Sequence, residues 1–67
     1  MRKELTEFGK KLKIALVEKN QTQDWLIENV KKETNLYFDS SYLHKIITGS
    51  NNNPNIIAAI NKILNIN

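Results

Sequence analysis

The apolar positions of this chain recur in steps of three and four. Between Glu4 and Lys19 the residues Leu5, Phe8, Leu12, Ala15 and Leu16 fall on one side of a helical projection. Lys10, Lys11, Lys13 and Glu18 fall mostly on the other. This predicts a first helix, and Thr6 is a possible cap for a shorter version of it. Asn20-Gln21 breaks the pattern. Thr22 then supplies an N-cap hydroxyl, and Asp24 places a carboxylate at the positive end of the next helix dipole. The second helix is expected to run to about Thr34, with Leu26, Ile27 and Val30 inward and Trp25 flanking them. Asn35 suits its end, because asparagine tolerates the left-handed conformation.

Leu36-Tyr37-Phe38 is a short apolar connector with no second strand to pair with, so it is expected to pack under the following helix. With Asp39 as N-cap, Phe38 and Leu43 occupy the two positions of a hydrophobic staple. This fixes a third helix from Ser40 to about Thr48, with Leu43, Ile46 and Ile47 inward and Gly49 ending it. The polar stretch from Ser50 to Asn53 reads as a loop. Pro54 then suits the first position of a last helix behind the cap Asn53, carrying Ile56, Ile57, Ile60, Ile63 and Leu64. The expectation is an all-α fold of four helices in a single domain over 1–67.

Composition narrows the possible chemistry. Two glycines and one proline in 67 residues do not suit a turn-rich sheet protein. A domain this short buries roughly 60% of the surface exposed by its unfolded chain, so its core is small. The chain has no cysteine, which excludes disulfides and thiolate metal sites. That absence, with no signal-peptide pattern, suits a cytoplasmic protein. No apolar run is long enough to span a bilayer. Ten Lys and Arg against seven Asp and Glu give a net charge of +3, a mild excess compatible with a polyanionic partner.

The run Thr22-Gln23-Asp24-Trp25-Leu26-Ile27, followed by Asp39-Ser40-Ser41-Tyr42-Leu43-His44-Lys45-Ile46-Ile47-Thr48-Gly49, resembles the DNA-binding core of Cro/repressor-type (Xre-like) regulators. The block Phe8-Gly9-Lys10-Lys11-Leu12-Lys13 is similar to the family's first helix. The resemblance implies a lambda-repressor-like helix-turn-helix fold whose recognition helix, about 40–48, enters the major groove of double-stranded DNA. It implies base-edge contacts from Ser40, Ser41 and Lys45, with Asp39, Tyr42 and His44 nearby. Contacts to the DNA backbone would come from Thr22, Gln23, Thr48, Ser50, Asn51 and Asn52. A bacterial or phage transcriptional regulator, repressor-like, is the role that follows. Two features differ from the family pattern. The turn before the third helix is longer and lacks glycine, which adds Lys31 and Lys32 as candidate phosphate contacts. The family's small residue at the crossing of helices two and three is here Ile27. Where some members bury an Arg–Glu pair between helix one and the recognition helix, this chain has Leu16 and Ile47, which are expected to share a core.

The residues support the same idea physically. A helix enters the groove only if its leading end carries small or polar side chains, as Ser40 and Ser41 do. The start of helix two offers backbone amides that could grip a phosphate. Each residue also has a plainer reading. Asp39 is first a helix cap, the lysines of helix one are a solvated face, and Tyr37, Tyr42 and Trp25 are half-buried packing residues. His44 is the single histidine, so no histidine cluster for a metal exists. No nucleophilic arrangement, glycine-rich phosphate loop or metal-ligand spacing stands out, so neither an enzyme, nor a cofactor, nor a small-molecule ligand is expected. The competing expectation is a small protein-interaction module, or an antitoxin-like partner protein. It would use the isoleucine-rich last helix, with Ile56 or Ile60 facing outward, and a homodimer through that helix is compatible with either reading.

Overall fold

The computed structural model describes residues 6–66. They form four helices: α1 (Glu7–Lys19), α2 (Gln23–Thr34), α3 (Ser40–Thr48) and α4 (Pro54–Leu64), with no strand among the described residues. All-α is therefore the fold class. The shorter first helix is the one that forms, because the Thr6 hydroxyl accepts the Gly9 amide at 3.0 Å and caps it there. Leu5, expected inward, lies outside the described residues.

The helix ends follow from local chemistry. Thr22 Oγ1 accepts the Trp25 amide at 3.1 Å, Asp39 Oδ1 the Tyr42 amide at 2.8 Å, and Asn53 Oδ1 the Asn55 amide at 2.9 Å. At the other ends, Asn20, Asn35 and Asn65 take the left-handed conformation with φ of 58°, 57° and 57°, and Gly49 does so at 83°. Asparagine and glycine are the residues that enter this region at least cost, so each helix stops where its sequence allows.

One apolar core joins all four helices. Leu12 and Leu16 of α1, Leu26, Ile27 and Val30 of α2, Leu43, Ile46 and Ile47 of α3, and Ile56, Ile60 and Leu64 of α4 are all buried in it. Phe38 joins them from the connector, so both members of the staple, Phe38 and Leu43, are inside. Leu16 and Ile47 share this core as expected. No polar or charged residue is buried among the described residues. The most extensive helix pairings are α2 with α4 and α1 with α3.

Two expectations about apolar surface are corrected. Ile56 and Ile60 are fully buried, so neither faces outward as expected, and Ile57 and Ile63 are partly buried against the core. The apolar arc of the last helix is wide because α4 packs against both α1 and α2. The large apolar side chains that are exposed lie elsewhere: Ile14 and Val17 on α1, and Leu36 and Tyr37 in the connector. Only Phe38 of the connector's apolar run enters the core. With Phe38 buried, Leu36 and Tyr37 are left exposed.

Candidate nucleic-acid interface

Helix α3 is divided into two faces. Leu43, Ile46 and Ile47 are buried, whereas Ser40, Ser41, His44 and Lys45 are exposed. The buried set anchors a nine-residue helix, and the exposed set forms a continuous polar strip along it. Its position is fixed from both ends. The Ile47 carbonyl accepts the Thr6 hydroxyl at 2.9 Å and the Thr6 amide at 3.2 Å, which ties the end of α3 to the start of α1. At the leading end, Asp39 caps the helix and also accepts the Tyr37 hydroxyl through Oδ2.

Asp39 and Tyr42 are therefore occupied within the chain. Both oxygens of the Asp39 carboxylate have a donor, and its pKa is lowered, chiefly by the Tyr37 hydroxyl bond and then by the Tyr42 amide. The same pairing raises the pKa of Tyr37. Tyr42 is half-buried, with its ring centroid 5.0 Å from that of Phe38 and its hydroxyl accepting Asn53 Nδ2 at 3.1 Å. It couples α3 to the cap of α4. Of the six residues expected at base edges, the structure thus leaves Ser40, Ser41, His44 and Lys45 as the outward group.

The expected backbone-contacting residues divide in a similar way. Gln23 and Asn52 are exposed. Thr22 uses its hydroxyl oxygen as a cap for the Trp25 amide, as expected, and its carbonyl accepts the Leu26 amide in the ordinary helical pattern. Thr48 donates its hydroxyl back to the His44 carbonyl at 3.0 Å and lies 3.4 Å from Ser50 Oγ. Asn51 bonds on both sides of the turn, giving its amide to the Lys45 carbonyl and accepting the Asn53 amide at 3.0 Å. The loop after α3 is consequently built rather than slack. Lys31 and Lys32 lie in the last turn of α2, and Lys31 is 3.6 Å from Glu28. A helix of this length spans about 18 Å, so they sit far from Thr22 and Gln23 at its other end.

Two concavities open on the surface. One, of about 260 Å³, is lined by Tyr37, Asp39, Ser41, Tyr42, Lys45 and Asn51, and so adjoins the polar strip of α3. Tyr37 is the member of this group that sequence reasoning placed elsewhere, as a packing residue. The other, of about 410 Å³, lies between the end of α2 and α4, over Ala58 and Ala59. The ion pair of Glu33 with Lys62 crosses its rim at 2.8 Å and raises the Lys62 pKa. It contains no residue of α3.

Among the described residues no cluster of His, Cys, Asp and Glu could hold a metal ion. No helix among them is long and apolar enough to cross a membrane. Comparison with known proteins finds no matching family model, no matching curated protein and no matching solved structure.

Proposed function

We propose that this chain is a sequence-specific binder of double-stranded DNA that lays α3 in the major groove, in the manner of a Cro/repressor-type helix-turn-helix regulator. The observation that carries this reading is the division of α3. Ser40, Ser41, His44 and Lys45 face solvent in a strip, while the opposite side is locked into the core. Small hydroxyl side chains at the leading end permit close approach to base edges, and Lys45 one turn further on matches the O6 and N7 acceptors of guanine. The net charge of +3 adds a modest general attraction to phosphate. The order of the motifs from Thr22 to Gly49 gives independent support, and a role in transcriptional regulation follows from it by analogy. The five-residue connector Asn35 to Asp39 makes the turn longer than in the compact motif.

The discriminating experiment titrates the isotopically labelled chain with random-sequence duplex and follows amide shifts at rising salt. DNA binding is expected to perturb Ser40 to Lys45 and to weaken steeply with salt, because bound phosphates release counterions. Perturbations that spare Ser40 to Lys45 and cluster on α4 reject the groove-reading model. Binding that is indifferent to salt favours an apolar protein partner instead.

A further inference from the structure

We infer that Tyr37 is a specificity-determining residue of this interface, packing its ring on the C5-methyl group of a thymine at the edge of the site. The inference rests on the DNA-binding reading of α3 and adds to it an element outside the recognition helix. Tyr37 is 75% exposed, although its neighbour Phe38 is in the core. It is nevertheless held in place. Its hydroxyl donates to Asp39, the residue that caps α3, and its ring lines the same concavity as Ser41 and Lys45.

This arrangement decides what Tyr37 can offer a ligand. The hydroxyl is committed inside the chain, so the free surface is the apolar ring. Asp39 beside it and Lys45 in the same concavity offset each other's charge, which leaves this point without the net positive charge that a phosphate needs. The partner at this point is therefore a base edge. Among the groups displayed in the major groove, the apolar one is the thymine methyl; the others are hydrogen-bond donors and acceptors. A ring pinned at the mouth of α3 fits that methyl and would discriminate against bases that lack it.

The probe is a duplex enriched from a random-sequence pool by the full chain. Replacing its thymines one at a time by uracil removes a single methyl group each time. The wild-type chain is expected to show roughly fourfold weaker affinity at one position, the worth of one buried methyl. Tyr37→Ala is expected to bind the thymine and uracil duplexes equally there, with its helical content by circular dichroism retained. Tyr37→Phe, which keeps the ring but loses the hydroxyl bond that holds it, is expected to keep only part of the discrimination. A Tyr37→Ala chain that still separates thymine from uracil as the wild type does overturns the inference. So does a wild-type chain for which no thymine methyl matters. If the wild-type chain enriches no duplex even at low salt, the DNA reading itself fails and the inference falls with it.

Discussion

The carbonyl oxygen of Ile47 receives both donors of Thr6, the hydroxyl at 2.9 Å and the backbone amide at 3.2 Å. That carbonyl belongs to the last turn of α3, where no helical amide is left to bond it. The same threonine oxygen accepts the Gly9 amide, so one residue caps the start of α1 and satisfies the end of α3. The candidate DNA-reading helix is thereby held by a backbone contact between residues 41 positions apart.

Gly9 permits this approach. A Cβ built on it would lie 2.5 Å from the Ile47 carbonyl oxygen and 2.9 Å from the Ile47 side chain. In an unconstrained helix, glycine to alanine gains about 1 kcal/mol of propensity. Here Gly9→Ala is expected to destabilise the domain by about 1–3 kcal/mol, the usual cost of overpacking, because the clash is with backbone that is itself pinned by Thr6. Urea unfolding measures it. An alanine variant as stable as the wild type would mean that α1 and α3 are not in this close contact.

How much of the fold can be read from the sequence depends on how local each cause is. The Phe38–Leu43 staple, the Asp39 cap and the Asn35 and Gly49 stops are legible, because each is settled within a few residues. The Gly9 contact is not, since its partner is on a distant helix. The direction of Tyr37 is also hidden. Tyr37 and Phe38 are both aromatic, and an extended segment can bury either, so only the packed core chooses between them. The same holds for α4, where five apolar residues share a wide arc and two neighbouring helices decide which become fully buried.

The choice made in α4 gives a sharp contrast with α1. Ile60→Ala is expected to cost about 2–5 kcal/mol, since the side chain is fully buried and leaves a cavity in a small core. Ile14→Lys and Val17→Lys, at positions 58% and 78% exposed, are expected to stay within about 0.5 kcal/mol of the wild type. Thermal unfolding followed by circular dichroism separates the two cases. A severe destabilisation from either lysine variant would contradict their placement on the outer side of α1.

The left-handed stops allow a test that isolates backbone conformation. At Asn35, with φ of 57°, alanine is expected to cost about 1 kcal/mol, whereas glycine is expected to be nearly neutral. Both substitutions remove the side-chain amide. Equal destabilisation in the two variants would point to a side-chain role, and destabilisation with alanine alone to the conformation itself.

The Tyr37–Asp39 pair sets an acid dependence with a definite sign. The folded pKa of Asp39 is lowered from its ordinary 3.8, so its contribution is complete above that value and disappears as pH falls through the lower folded value. Tyr37→Phe is expected to move the Asp39 titration up toward 3.8, because the phenol bond is the first cause of the shift. Carbon chemical shifts of the Asp39 carboxyl read this directly. An unchanged titration in the phenylalanine variant would leave the Tyr42 amide as the main cause.

Lysines on different elements are expected to fail in different ways. Lys45 shares a concavity with the ionised Asp39, an environment suited to a base edge and unfavourable for phosphate. Lys45→Ala is therefore expected to reduce affinity for a selected duplex on the order of tenfold and to relax preference at one base pair, with little change in salt dependence. Lys31 and Lys32 lie in the last turn of α2, outside the polar strip of α3, where the expected contact is with phosphate. Replacing either by alanine should weaken all duplexes alike and lower the slope of log affinity against log salt by about 0.9 for each phosphate left unneutralised. Binding curves at several salt concentrations, on selected and random duplexes, distinguish these patterns. Uniform weakening with a reduced slope for Lys45→Ala would move Lys45 to the phosphate backbone and leave Ser40, Ser41 and His44 as the base-facing residues of α3.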